Sequence, residues 1–135
     1  MKLEHIGIAV SDVKAARDLF LLVFGASPYK TEDVISEGVR TYFYDAGSVK
    51  LELLESISPD SAIERFIQKH GPGLHHLAFA VDDAASDYER LGALGLQVLG
   101  DAPKPGADGK IIFFVHPKDT LGVLMEFCGD QLPNF

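Results

Sequence analysis

The residues best placed to do chemistry are two histidines and two glutamates, His5 and Glu52 in the first half of the chain and His76 and Glu126 in the second. Each histidine opens an apolar stretch in which small residues follow two and four positions on. The first reads His5-Ile6-Gly7-Ile8-Ala9-Val10 and the second His76-Leu77-Ala78-Phe79-Ala80-Val81. Strand side chains alternate faces, so each histidine shares a face with two small residues while the bulky ones line the other. Each glutamate interrupts an apolar strand, Val49-Lys50-Leu51-Glu52-Leu53-Leu54 and Gly122-Val123-Leu124-Met125-Glu126-Phe127. One such glutamate is explained by a wet sheet face. Two at equivalent positions, each matched to an equivalent histidine, point to a shared purpose, because a buried carboxylate without a partner is costly.

Two imidazoles and two carboxylates suit a divalent ion such as Co²⁺, Zn²⁺, Ni²⁺ or Mn²⁺, with two positions open if the geometry is octahedral. Two adjacent open positions can chelate neighbouring oxygens of one substrate. A cation there acts as a Lewis acid and favours proton abstraction next to a carbonyl.

A repeat positions these groups. His76 stands 71 residues after His5, and Glu126 stands 74 after Glu52, a drift that one loop insertion explains. The first copy predicts a strand at Lys2 to Val10 and a helix capped by Ser11 or Asp12. That helix stops at Gly25, with Val13, Ala16, Phe20 and Val23 facing the sheet. A short strand within Pro28 to Ser36 follows. A hairpin then runs from Val39 to Tyr44 and from Val49 to Glu55 around Asp45-Ala46-Gly47-Ser48. Ser61-Ala62-Ile63-Glu64 is a capping box that opens a linker helix ending at Gly71-Pro72-Gly73. The second copy repeats the order: a strand from Leu74, a helix from about Asp83 to Leu94 and a short strand at Gln97 to Leu99. Strands at Ile111 to Val115 and Gly122 to Cys128 complete it. Asp101 to Lys110 has too much Pro and Gly for regular structure.

The expected fold is α+β, two tandem β-α-β-β-β modules forming a curved mixed sheet around a metal pocket. A single domain spans 1–129, with module one at about 1–56, the linker helix at 57–72, module two at about 73–129 and a tail at 130–135. A net charge of −8 argues against nucleic acid or an anionic membrane surface as partner. No apolar run is long enough to span a bilayer, and the start of the chain does not read as a signal peptide. With Cys128 the only cysteine, a reducing cytoplasm is the expected setting. Among the other candidates, His75 points away from His76, His70 ends a helix, His116 belongs to a loop, and Glu55 reads as exposed.

These motifs resemble the vicinal oxygen chelate superfamily and, within it, the methylmalonyl-CoA epimerase family. The resemblance is carried further by Ser58-Pro59-Asp60-Ser61, Gly73-Leu74-His75-His76, Pro105-Gly106-Ala107-Asp108-Gly109 and His116-Pro117-Lys118, and it reaches to about Gly129. It implies a divalent metal held by His5, Glu52, His76 and Glu126, and 1,1-proton transfer at C2 of methylmalonyl-CoA through an enolate. Glu126 would be both ligand and catalytic base. It also implies an acyl-CoA partner and a homodimer. Some members carry a second glutamate where this chain has Thr41, which leaves the opposite-face acid among Glu37, Glu52 and a bound water. Lys118, with Lys104 and Lys110, is the expected contact for the coenzyme A phosphates. The alternatives are a glyoxalase I type lyase, which shares the ligand set, and a metal-free small-molecule binding protein of the same superfamily.

Overall fold

The computed structural model describes residues 1–131. It divides into two units, one made of His5–His75 and the other of Met1–Glu4 with the chain from His76 onward. The division falls inside two strands, β1 (Lys2–Val10) and β5 (Gly73–Ala80). Among the described residues the order β-α-β-β-β occurs twice, with one helix between the copies, so the fold is α+β.

In the His5–His75 unit, β1 is followed by α1 (Val13–Phe24), β2 (Lys30–Val34), β3 (Val39–Asp45) and β4 (Lys50–Ser56). The strands lie in the order β2-β3-β4-β1, antiparallel except for the parallel β4–β1 pair. Asp12 caps α1 by accepting the Ala15 N–H at 3.0 Å. Gly25 closes it in the left-handed region (φ 67°), with its N–H donated to Leu21 O. Val13, Ala16 and Phe20 pack on Val10, Tyr42, Tyr44 and Leu53 as expected. Val23 does not: it is 62% exposed, and Phe24 holds the last turn instead, edge-on to Phe20. A spacing of three at each step falls short of the helical period, so by the fourth residue the stripe has rotated off the sheet.

The opposite face of the same strands is covered at one end by α2 (Ala62–His70), whose Ile63, Phe66 and Ile67 pack on Ala9, Val39 and Leu54. Ser61 starts this helix by accepting the Glu64 N–H at 2.9 Å. Gly38, at φ 66°, turns the chain into β3 where a side chain would meet Ser58 Cβ at 2.8 Å.

In the second unit, β5 is followed by α3 (Ala84–Ala93), β6 (Lys104–Pro105), β7 (Lys110–Val115) and β8 (Leu124–Asp130). β8 runs parallel to β5 and antiparallel to β7. Ala84, Tyr88 and Leu91 face inward as expected, onto Phe113, Val115 and Phe127. The strand expected at Gln97 to Leu99 is reduced to one bridge, Val98 to Val115, and a strand pair forms instead at Lys104–Pro105 against Ile112 and Ile111. Both segments use the same edge of β7, and the chain between them leaves it and returns. Tyr88 OH pins that excursion by donating to Gly100 O at 2.7 Å. The Pro/Gly-rich segment therefore holds regular structure after all, because an outer strand tolerates a proline that needs no ladder N–H. β8 continues to Asp130, and residues 132–135 of the expected tail lie outside the described residues.

Candidate functional site

Strand register explains how each unit sets its histidine beside its glutamate. Residues directly opposite on neighbouring strands project from the same face. In the first unit Gly7 lies opposite Glu52, Glu52 opposite Phe43, and Phe43 opposite Lys30. His5, two residues before Gly7, shares this face and meets Glu52 diagonally, Nδ1 to Oε2 at 3.0 Å. The absent side chain of Gly7 gives the imidazole room to lean across. His5 and Glu52 are both buried, at 7% and 3% exposure.

The second unit repeats the arrangement. Ala78 lies opposite Glu126, and Glu126 opposite Phe114. His76 Nε2 stands 3.9 Å from Glu126 Oε1, and both residues are buried. The unequal spacings along the chain thus converge on one register: in each unit the glutamate is opposite the small residue two places after the histidine. The repeat extends one strand further. Phe43 beside Glu52 and Phe114 beside Glu126 are themselves 71 residues apart, a signal present in the sequence that reasoning from polar residues alone passes over. The Phe114 ring also stands edge-on to His76, with centroids 6.1 Å apart. Each pair offers an imidazole nitrogen and a carboxylate oxygen in buried surroundings, donors that borderline divalent ions accept.

The other expected residues fall elsewhere. Lys118 sits in an exposed turn, Pro117–Asp119, where its N–H is donated to His116 Nδ1 at 3.0 Å. His116 is thus a loop cap, as expected. Lys110 is committed to Asp130 at 2.5 Å, and that bond raises its pKa above the ordinary lysine value. Thr41 is 2% exposed between Leu54 and Glu32 in register, so the carboxylate of that row comes from β2. Glu55, expected to be exposed, is half-buried on the opposite face, where its Oε1 accepts the Tyr42 OH at 2.9 Å.

His75 points away from His76, as strand alternation requires, and its ring stands edge-on to Phe66 with centroids 4.9 Å apart. Burial pushes its pKa down to about 4 from the usual 6.5. The folded chain then binds fewer protons at this site than the unfolded chain, so stability is full above about pH 6.5 and declines as pH falls towards 4. A His75→Phe variant is expected to flatten this part of the pH–stability curve. Denaturant midpoints between pH 7 and 4 check it.

The chain belongs to the Glyoxalase/Bleomycin resistance protein/Dioxygenase superfamily, whose family model matches residues 4–114. Its relatives are more specific than that. It is 37% identical over 127 residues to the ethylmalonyl-CoA/methylmalonyl-CoA epimerase of Cereibacter sphaeroides, covering 93% of this chain and 95% of that one. It is 41% identical over 133 residues to the uncharacterized protein YqjC of Bacillus subtilis (strain 168), covering 96% and 95%. A solved structure of a Streptomyces coelicolor methylmalonyl-CoA epimerase variant, in complex with 2-nitronate-propionyl-CoA, superposes with a TM-score of 0.88 at 35% identity, covering 98% of this chain and 99% of that one.

Proposed function

We propose that this chain is a methylmalonyl-CoA epimerase, an isomerase in which His5, Glu52, His76 and Glu126 hold one divalent ion (Co, Zn, Ni or Mn) and Glu126 also serves as a base. The observation that carries this reading is the duplicated register: each unit buries one histidine–glutamate pair in the same strand relationship. The relatives that bear the epimerase name support the choice of substrate. The donors fit such an ion, since two neutral imidazoles and two carboxylates neutralise its charge. When bound, the ion supplies Lewis-acid polarisation of a thioester carbonyl and a neighbouring carboxylate.

The rest falls to the chain's own residues. The Glu126 carboxylate takes the C2 proton from one face of the substrate, and an acid on the other face returns one. Phe43 and Phe114, each beside a glutamate, keep water from the carboxylates and so preserve their strength as bases and ligands. Thr41 cannot act as the second acid, which leaves Glu37, Glu52 or a bound water. Lys118 is the proposed contact for the coenzyme A phosphates. A cytoplasmic homodimer completes the reading. The exposed apolar side chains Leu21, Leu22, Val23 and Phe24 at the end of α1 support association, and no described helix is long and apolar enough to cross a membrane.

The test is deuterium uptake from solvent at C2 of methylmalonyl-CoA. Uptake by the purified protein, its loss on chelation and its return with added Co²⁺ or Mn²⁺ are the expected results. Turnover of methylglyoxal plus glutathione without any uptake into methylmalonyl-CoA would replace the epimerase by a lyase.

A further inference from the structure

The face of the first unit that carries His5 and Glu52 also carries two lysines gathered on one aromatic ring. Lys30 Nζ lies 5.2 Å and Lys50 Nζ 5.6 Å from the centroid of Phe43. The register puts all of them together. Phe43 is the strand neighbour of Glu52, Lys30 is the neighbour of Phe43, and Lys50 is the neighbour of His5. Neighbouring strands are about 5 Å apart and alternate residues about 7 Å, so both ammonium groups reach the surroundings of the His5–Glu52 pair. The other end of this face is closed by α2 through Ala9, Val39 and Leu54, which leaves the lysine end as the side from which a ligand can enter. Asp45, directly opposite Lys50, is occupied by the turn, where its Oδ1 accepts the Gly47 N–H at 2.9 Å.

A lysine side chain is long and costs side-chain entropy to hold in place. Resting its ammonium on a ring face lowers that cost while keeping the charge available to an anion. We propose that Lys50, assisted by Lys30, forms an anion subsite for the free carboxylate of the acyl group, making this pair a determinant of preference for carboxylated acyl thioesters. The proposal rests on the epimerase reading for the identity of the thioester. The acyl head belongs beside His5 and Glu52, whereas the nucleotide phosphates lie a long pantetheine arm away. That separates these lysines from the role proposed for Lys118. Lys30 shares its charge with Glu32 at 3.1 Å and is the lesser contributor.

Calorimetric titration of the full chain with methylmalonyl-CoA, propionyl-CoA and coenzyme A tests this without relying on turnover. A charge-assisted hydrogen bond lost in Lys50→Met is expected to weaken methylmalonyl-CoA binding roughly tenfold or more, with propionyl-CoA and coenzyme A within about twofold. Lys50→Arg is expected to keep most of the preference, and Lys30→Met to give a smaller loss. Lys14→Met, whose lysine pairs with Asp18 on exposed α1, is the control and is expected to change nothing. Equal losses for all three ligands would assign the ammonium to the nucleotide phosphates and overturn the proposal. An unchanged preference in Lys50→Met would overturn it too. If wild-type protein catalyses no C2 exchange but still prefers the carboxylated thioester through Lys50, the subsite stands and the epimerase reading falls. If exchange occurs and Lys50→Met keeps the preference, the reverse holds.

Discussion

A Glu126→Gln variant is expected to lose about a thousandfold or more in the rate of C2 proton exchange while remaining folded. Glutamine matches the shape of glutamate, so the parallel pairing of β5 with β8 and the contact with Phe114 survive. The amide has no basic oxygen for the proton and is a weaker donor to a divalent ion, so one substitution removes both proposed roles. Glu52→Gln provides the contrast. By resemblance the same position holds either residue in the epimerase family, and its proposed role is as a ligand, so a loss well short of the Glu126 variant is expected. Exchange rates for both variants, read beside their metal content and thermal melts, check the asymmetry. Equal losses with equal metal content would show that Glu126 is a ligand only and that the base lies elsewhere.

That asymmetry draws on a sequence signal stronger than any single motif. One histidine in a strand carries little information, but His5 and His76 recur with their small residues, and both copies then fold to the same register. The repeat made the α+β topology legible, and Asp12, Ser61 and Gly25 fixed their helix ends because each satisfies a specific backbone group. The broken strand before β7 was harder to read. Whether Gln97 to Leu99 or Lys104–Pro105 pairs with β7 depends on which leaves its neighbours a stable return path, a tertiary matter decided partly by Tyr88 reaching Gly100.

The lysines show a second limit of the sequence. Motif resemblance directed attention to Lys104, Lys110 and Lys118, yet Lys110 is tied to Asp130 and Lys118 lies in an outer turn. Lys30 and Lys50 are ordinary strand lysines until the register shows that both share a face with Phe43 and Glu52. Alternation along a strand tells which residues share a face. It does not tell which strands are neighbours, and the positive subsite exists only through that adjacency.

The largest expected effect on stability lies behind Glu126 rather than at it. Phe113 is 1% exposed, stacks on Phe127 with centroids 5.1 Å apart, and meets Tyr88 edge-on at 5.5 Å. Truncating a ring so enclosed removes its burial and leaves a cavity that β7 and β8 cannot close without breaking their pairing. Phe113→Ala is therefore expected to cost about 3 to 5 kcal/mol, a large share of the roughly 5 to 15 kcal/mol that holds a domain of this size folded. The melting temperature should fall by about 10 to 20 °C. Leu22→Ala, at a residue 85% exposed on α1, should stay within about 0.5 kcal/mol under the same conditions. Urea denaturation of the two variants measures both values. Because Phe114, the next residue, is the strand neighbour of Glu126, the damage should extend to function as well. Well below its melting point, Phe113→Ala should bind acyl-CoA but exchange the C2 proton more slowly, since the strand that positions Glu126 has lost its backing. A variant with full exchange activity and a 4 kcal/mol loss of stability would show that the position of Glu126 is set by its own strand pairing and not by the aromatic stack beneath it.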